Sequence, residues 1–237
     1  MKVEQKEQLY EGKAKKVFAT SDPDLVIVDY KDDATAFNGL KRGTIVGKGV
    51  VNNKMSNYLM QMLAEHGVET HFVEELSERR TLVKHVEIVP LEVIMRNIVA
   101  GSLSKRTGLP EGAVPKMPVL ELYYKSDELG DPMINTDHAL AFGWATREEL
   151  DQIESMARKI NDVLKAFFAG VGVDLVDFKI EFGRYKGKII LADEISPDTC
   201  RFWDSKTKEK LDKDRFRRDM GDVEGAYHEM MKRLGLK

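Results

Sequence analysis

Residues Asp177-Phe178-Lys179-Ile180-Glu181-Phe182-Gly183-Arg184-Tyr185-Lys186-Gly187-Lys188-Ile189-Ile190-Leu191-Ala192-Asp193-Glu194 decide how this chain is read. They open in strict alternation. Phe178, Ile180 and Phe182 share one strand face, and Asp177, Lys179 and Glu181 share the other. A half-buried strand needs the apolar face. Folding alone does not ask for carboxylate, ammonium, carboxylate on the opposite one. Lys186-Gly187 predicts a two-residue hairpin turn, because glycine supplies positive φ. In that register Tyr185 faces Lys188 and Glu181 faces Ala192, so Asp193 follows at the same end as Glu181. Two anions that close repel unless a cation lies between them. Ser196, Asp198 and Arg201 follow. The reading is a divalent cation with its phosphate ligand, against the alternative of a solvated polar face with ordinary ion pairs.

Composition narrows the class. The chain has 237 residues, 42% hydrophobic and 32% charged, with a formal net charge of −3. That is ample for one large or two small soluble domains and gives no basic surface for nucleic acid. Cys200 is the single cysteine, so no intrachain disulfide forms and a reducing compartment is favoured. The five histidines lack zinc spacing. No apolar signal core opens the chain and no apolar run is long enough to span a bilayer. A cytoplasmic protein without membrane attachment is expected.

Outward from the hairpin, the first 90 residues read mostly as strands. Leu9–Thr20 and Leu25–Tyr30 flank the turn Asp22-Pro23-Asp24, with Gly12, Lys13 and Lys15 placed to meet phosphates or simply to line a solvated face. Residues 31–47 read as loop. A helix follows, with Val51, Met55, Leu59 and Leu63 in its stripe and Gly67 as stop. Glu69–Glu74 and Arg80–Val86 are strand-like, with Lys84 opposite Leu82. Glu87-Ile88-Val89-Pro90 reads as a break and sets a lobe boundary, dividing residues 1–90 from 91–237. Beyond it, Leu91–Arg96 is a strand, and Ser102 is placed to N-cap the next helix beside Arg96, which makes an anion site. Thr146 and Glu149 form a capping box for a long amphipathic helix. A last helix is predicted over about 214–234, with basic first turns. The fold class is α+β in two lobes.

Collected, Glu181 and Asp193 are metal-competent carboxylates, Lys13, Lys15 and Lys84 are candidates for nucleotide phosphates, and Arg96, Ser102 and Arg201 for a second anion. This is the inventory of metal-dependent phosphoryl transfer or ATP-driven ligation. A small-molecule kinase and a catalytically silent nucleotide-binding module are the competing readings.

Longer motifs add a family. Tyr10-x-Gly12-Lys13-Ala14-Lys15, Lys48-Gly49-x-x-x-Asn53, Val89-Pro90-x-Glu92-x-x-x-Arg96-Asn97-x-x-Ala100-Gly101-Ser102 and Asp131-Pro132-Met133 occur in order. Asp177-x-Lys179-x-Glu181-Phe182-Gly183, Asp193-Glu194-x-Ser196-Pro197-Asp198 and Asp212-Lys213-Asp214-Arg215-Phe216-Arg217 follow. With these the chain resembles the SAICAR synthetases of purine biosynthesis nearly end to end. The resemblance implies an N-terminal antiparallel-sheet lobe and a larger C-terminal α+β lobe around an ATP cleft, related to kinase and ATP-grasp layouts. It implies a ligase that joins L-aspartate to the carboxylate of a carboxyaminoimidazole ribonucleotide through an acyl phosphate, with ATP and Mg2+ as cofactors. By the same resemblance Lys13, Ala14, Lys15 and Lys84 meet ATP, and the Glu87–Val89 backbone meets adenine. Glu181 and Asp193 hold Mg2+, while Asp177 and Lys179 act at the imidazole carboxylate. Arg96, Ser102 and Arg201 grip the ribonucleotide phosphate. Asp131, Lys213 and Arg217 serve substrate. Asn38 stands where some relatives carry Asp. A homodimer or larger homo-oligomer is also implied.

Overall fold

The computed structural model describes residues 3–36 and 40–236, so Asn38 lies outside the described residues. The strand-like stretches around the Asp22-Pro23-Asp24 turn give β1 (Gln5–Glu11), β2 (Lys15–Thr20) and β3 (Leu25–Tyr30). With β6 (Phe72–Ser77) and β7 (Arg80–Lys84) they form an antiparallel sheet in the order β1-β2-β3-β7-β6. Residues 31–47 are not loop throughout. Asp33–Ala36 (β4) and Lys41–Thr44 (β5) pair as a separate two-stranded ribbon. Each strand is four residues long, and β5 is polar and contains glycine, so the short alternation of Ala34 and Ala36 in β4 reads as loop.

Helix α1 (Lys48–Glu65) ends before Gly67, which takes φ 76° as a stop residue should. Its entry is held by Asp32, whose carboxylate accepts from the backbone N–H groups of Gly47 and Gly49 and pairs with Arg79 at 2.6 Å. These bonds hold the Asp32 carboxyl down at about 2, with Arg79 the main cause. Met55, Leu59, Met60 and Leu63 of α1 enter the same core as the second sheet.

That second sheet runs β10-β9-β8-β11-β12, with β13 also paired to β11. Its strands are β8 (Glu87–Arg96), β9 (Val119–Tyr124), β10 (Met133–Ile134), β11 (Val173–Tyr185), β12 (Lys188–Ala192) and β13 (Cys200–Asp204). Helices α2 (Gly101–Thr107), α3 (Thr136–Ala141) and α4 (Arg147–Gly170) connect them. The capping box at Thr146 and Glu149 is formed, and α4 buries Leu150, Ile153, Ala157, Ile160, Leu164 and Phe168. Phe178, Ile180 and Phe182 lie in that core, as the alternation requires.

Two local readings change. Glu87–Pro90 is not a break but the first half of β8, so residue 90 falls inside a strand. Glu92 pairs with Glu181 and Ile88 with Gly183, so residues 89–91 oppose a single residue of β11. This is a bulge, one of the places where a sheet accepts a proline. The predicted last helix is two: α5 (Asp214–Arg217) and α6 (Val223–Arg233). Asp219, Gly221 and Asp222 take φ of 53°, 73° and 46°, which no helix continues through. Arg215 and Arg217 therefore close a short helix, where the helix dipole favours cations, instead of opening a long one.

The sheets meet at Leu191, whose N–H donates to Glu69 O at 2.9 Å and whose carbonyl accepts from His71 N at 2.9 Å. Gly183 makes a second close approach. A Cβ there would stand 2.6 Å from Val86 Cβ and overlap Val86 Cγ2. Gly183→Ala is therefore expected to cost about 1–3 kcal/mol by overpacking. A lower urea midpoint at unchanged m-value checks it; an unchanged midpoint would mean that Val86 gives way freely.

Candidate active site

The hairpin forms in the predicted register. Tyr185 pairs with Lys188 and Glu181 with Ala192, around Lys186 and Gly187 at φ 48° and 80°. Asp193 leaves β12 at φ 59°, a left-handed conformation uncommon for a residue with a side chain. The turn brings its carboxylate to the lysines. Lys179 Nζ lies 2.8 Å from Glu181, 2.9 Å from Glu92 and 3.7 Å from Asp193. Lys15, reaching across from β2, pairs with Asp193 and lies 3.1 Å from Glu194. Lys125, just past β9, lies 3.1 Å from Glu181.

Burial opposes ionisation of Asp193, but Lys15, Lys179 and Lys125 outweigh it and hold the carboxyl well below the usual carboxylate range. Burial likewise opposes the charge on Lys179, and Glu181, Asp193 and Glu92 reverse it, so its ammonium is firmly protonated. His71 stands beside this cluster, pushed down to about 4 by burial and by Lys15, and is neutral at pH 7. The result is a buried and a partly buried carboxylate, Glu181 and Asp193, bridged by the Lys179 ammonium.

A magnesium ion fits these donors in one way only. No group of three or more carboxylate, histidine or cysteine ligands with metal spacing occurs among the described residues. Mg2+ is usually held by one or two carboxylates, with phosphate oxygens and waters completing its shell. Glu181 and Asp193 supply that pair.

Four residues before Glu181 on the same face of β11, and so about 13 Å back along the strand, Asp177 anchors a second cluster. Its carboxylate accepts from Arg96 Nη1 at 2.9 Å and from Arg201 Nη1 at 3.0 Å. Arg96 also donates to Glu121 at 2.9 Å and to Ser102 Oγ at 2.9 Å. Arg201 Nε donates to Asp214 at 2.9 Å, and Arg217 Nη1 pairs with the same carboxylate at 2.7 Å. Gly101, at φ 54°, gives Arg201 its place, because a Cβ at that position would fall 2.8 Å from Arg201 Cζ and collide with Nη2. The guanidiniums are thus fixed before any ligand arrives.

The predicted residues divide accordingly. Lys15, Lys179, Glu181 and Asp193 converge, and so do Arg96, Ser102, Asp177 and Arg201. Ser102 is not the N-cap of α2; Ala100 takes that position, and the Ser102 hydroxyl serves Arg96 instead. Lys84 lies outside the lysine–carboxylate cluster, donating to Thr70 O at 3.0 Å over the Tyr185 ring. Lys13 is paired with the exposed Asp127 at 2.8 Å. Ala14 offers its carbonyl to Lys31 N at 2.8 Å. Glu87 is exposed and paired with Arg184, and the Val89 side chain lies in the core. Asp131 closes its own loop by accepting from Ser126 N at 2.9 Å. Lys213 and Arg217 stand at α5, beside the arginine cluster.

Glu92, Lys125, Glu121 and Asp214 complete these clusters and were not singled out by sequence. Glu92 and Asp214 did lie inside the longer motifs. Glu121 and Lys125 carry no sequence signal, since each is one polar residue on a strand or at its end.

Lysines around two carboxylates and, four residues back along the same strand face, arginines around a third make a site suited to an enzyme that acts on anionic ligands. The SAICAR synthetase family model matches residues 8–234, and the chain belongs to that family. The phosphoribosylaminoimidazole-succinocarboxamide synthase of Lachnoclostridium phytofermentans is 65% identical over 231 residues, covering 98% of each chain. That of Clostridium acetobutylicum is 61% identical over 232 residues, covering 98% of this chain and 99% of its own. Among solved structures, the same synthase from Ehrlichia chaffeensis superposes with a TM-score of 0.96 at 47% identity, covering 98% of this chain and 99% of that one. A SAICAR synthetase in complex with ADP superposes at 0.93 with 52% identity, covering 96% and 97%.

Proposed function

We propose that this chain activates the carboxylate of a carboxyaminoimidazole ribonucleotide with ATP and joins it to L-aspartate, using the two clusters on β11 in sequence. The enzyme is an ATP-dependent carbon–nitrogen ligase of purine biosynthesis, the activity of the family to which it belongs. The observation that carries the residue roles is the layout of β11. Asp177 with its arginines and Glu181 with its lysines lie four residues apart on one face of the strand, Lys179 lies between them, and Asp193 joins the Glu181 side from the end of β12.

The chemistry follows from charge. A carboxylate resists amine attack until one of its oxygens becomes a phosphate leaving group. Bringing a nucleotide triphosphate to a carboxylate gathers negative charge, and preorganised cations offset it as the phosphoryl group moves. Lys15 and Lys179 stand where they would meet the terminal phosphates, with Lys13 and Lys84 at the margins. Glu181 and Asp193 would hold Mg2+, which supplies Lewis-acid charge at the transferring phosphate. Their present lysine partners keep the two anions together until the ion–nucleotide pair arrives. Adenine is placed against the Glu87–Val89 main chain beside the β8 bulge, where the second sheet follows the first, β1-β2-β3-β7-β6.

The ribonucleotide 5′-phosphate is assigned to Arg201, Arg96 and Ser102, a planar bidentate task suited to guanidinium. Asp177 orients both arginines, and with Lys179 it brackets the imidazole carboxylate. Asp131, Lys213 and Arg217 are assigned to substrate. A cytoplasmic homo-oligomer is the proposed setting; among the described residues no helix is long and apolar enough to cross a membrane.

Sustained ADP release is expected only when the carboxylated ribonucleotide and L-aspartate are both present, with one amide product formed per ADP. Steady ADP release with a stable phosphorylated product and no amine would make the enzyme a kinase.

A further inference from the structure

One face of α1 is polar where packing calls for apolar residues. Lys48, Asn52 and Ser56 recur at helical spacing and are 1%, 0% and 2% exposed. All three sit on the side that meets the loop after β12. Ser56 Oγ accepts from Ile195 N at 3.2 Å, and Lys48 Nζ lies 2.7 Å from Asp198. Among the described residues, neither polar atom of the Asn52 side-chain amide has a hydrogen-bond partner. Burying a lysine or an unpartnered amide works against folding unless a partner offsets the lost hydration. A helix chosen for stability alone would carry leucine or alanine at these positions.

Asp198 is the hub of this arrangement. One carboxylate oxygen takes Lys48 and, at 3.5 Å, Lys213; the other accepts the Tyr227 hydroxyl of α6 at 2.5 Å. Its backbone carbonyl accepts from Arg217 at 3.4 Å. Two ammoniums therefore gather at the Asp198 carboxylate and a guanidinium at its carbonyl, and Arg217 spends its other contact on Asp214, which Arg201 shares. The excess of positive charge falls on Lys213, the more distant of the two lysines. Burial pushes its ammonium below the ordinary lysine range, and Arg217 and Lys48 add to this while Asp198 opposes it.

We propose that Asp198, Lys48 and Tyr227 are positioning residues that fix Lys213 beside the arginine cluster, where its ammonium meets an anionic oxygen of a substrate. The anionic oxygen belongs to a carboxylate or a phosphate, and the two sources are separable by kinetics. Lys48 takes the shared Asp198 oxygen closely, at 2.7 Å, and leaves Lys213 at 3.5 Å from it. Tyr227 pins the carboxylate from behind and ties α6 to the site. The inference rests on the ligase reading of the previous section.

The test starts from wild-type turnover that requires both substrates; failure of that requirement overturns the ligase reading, and the positioning inference with it. Tyr227→Phe removes only a hydroxyl. It is expected to lower kcat about tenfold with KM for ATP unchanged, less than the roughly hundredfold that a 1 Å misplacement of a reacting group can cost. Lys213→Met raises KM for L-aspartate if the anion is the amino acid's carboxylate, and for the ribonucleotide if it is the phosphate. In the Lys213→Met background, Tyr227→Phe is expected to have no further effect on kcat, since the two act as a unit. Multiplicative losses, or a lower Tm with unchanged kcat, would make Tyr227 merely structural and overturn the proposal. Asp198→Glu, which keeps the charge but moves the pivot, carries the same double-variant comparison should Tyr227→Phe fail to fold.

Discussion

Asp193→Asn is expected to lower turnover by about 10²–10³-fold, the range for deleting one preorganised electrostatic partner of a transition state. The fold should survive. Asp193 sits at φ 59°, and asparagine is one of the few residues that adopt this conformation readily. The amide keeps the shape and can still accept a hydrogen bond from Lys15. Lys179 retains Glu181 and Glu92 as partners, and Lys15 retains Glu194. Loss of the hydrogen-bonded charge therefore costs stability only about 1–3 kcal/mol. Turnover falls much further because the lost charge is one of the two assigned to the metal. Turnover at saturating substrates, read beside a thermal unfolding curve, separates the two effects. Near-normal turnover in a folded variant would remove Asp193 from the metal site. If activity and fold are lost together, the result reports on packing of the β12 exit and says nothing of the metal.

The hairpin was legible because its information is local. Two-residue alternation sets the faces of β11, and one glycine sets the turn, so Glu181 and Asp193 follow without knowledge of the rest of the chain. The capping box of α4 was legible for the same reason: three residues separate Thr146 from Glu149. Non-local contacts were not. Asp198 meets Lys48 across 150 residues and Tyr227 across 29, and no periodicity connects them. The bulge at Pro90 reads as a break because proline and a change of pattern mark both, and only the pairing with β11 separates them. The division of the last helix turns on Asp219 and Asp222 in left-handed conformations, which aspartate tolerates but does not announce. Ser102 fell between the two cases. Its place beside Arg96 was correct, yet its hydroxyl binds the guanidinium and not the helix end.

Arg96→Met is expected to cost about 3–5 kcal/mol of folding stability, the penalty for breaking a buried ion pair by removing one partner. Arg96 is 2% exposed and neutralises two carboxylates that are themselves buried, Glu121 and Asp177. Methionine fills the volume but leaves both anions with one cation each: Glu121 keeps Arg106, and Asp177 keeps Arg201. Arg201→Lys, in contrast, should fold nearly as well, because Arg201 stands at the edge of the cluster and lysine retains the charge. It loses the planar fork that spans Asp177 and Asp214 at once. The two variants therefore split stability from binding. Arg96→Met should lower the urea midpoint sharply, whereas Arg201→Lys should raise KM for the ribonucleotide while leaving KM for ATP alone. A raised KM for ATP in Arg201→Lys would contradict the assignment of the Asp177 and Glu181 clusters to different ligands. An unchanged midpoint in Arg96→Met would mean that Glu121 and Asp177 are satisfied without it. Arg96 would then be held in place for the ligand alone, at no benefit to the fold.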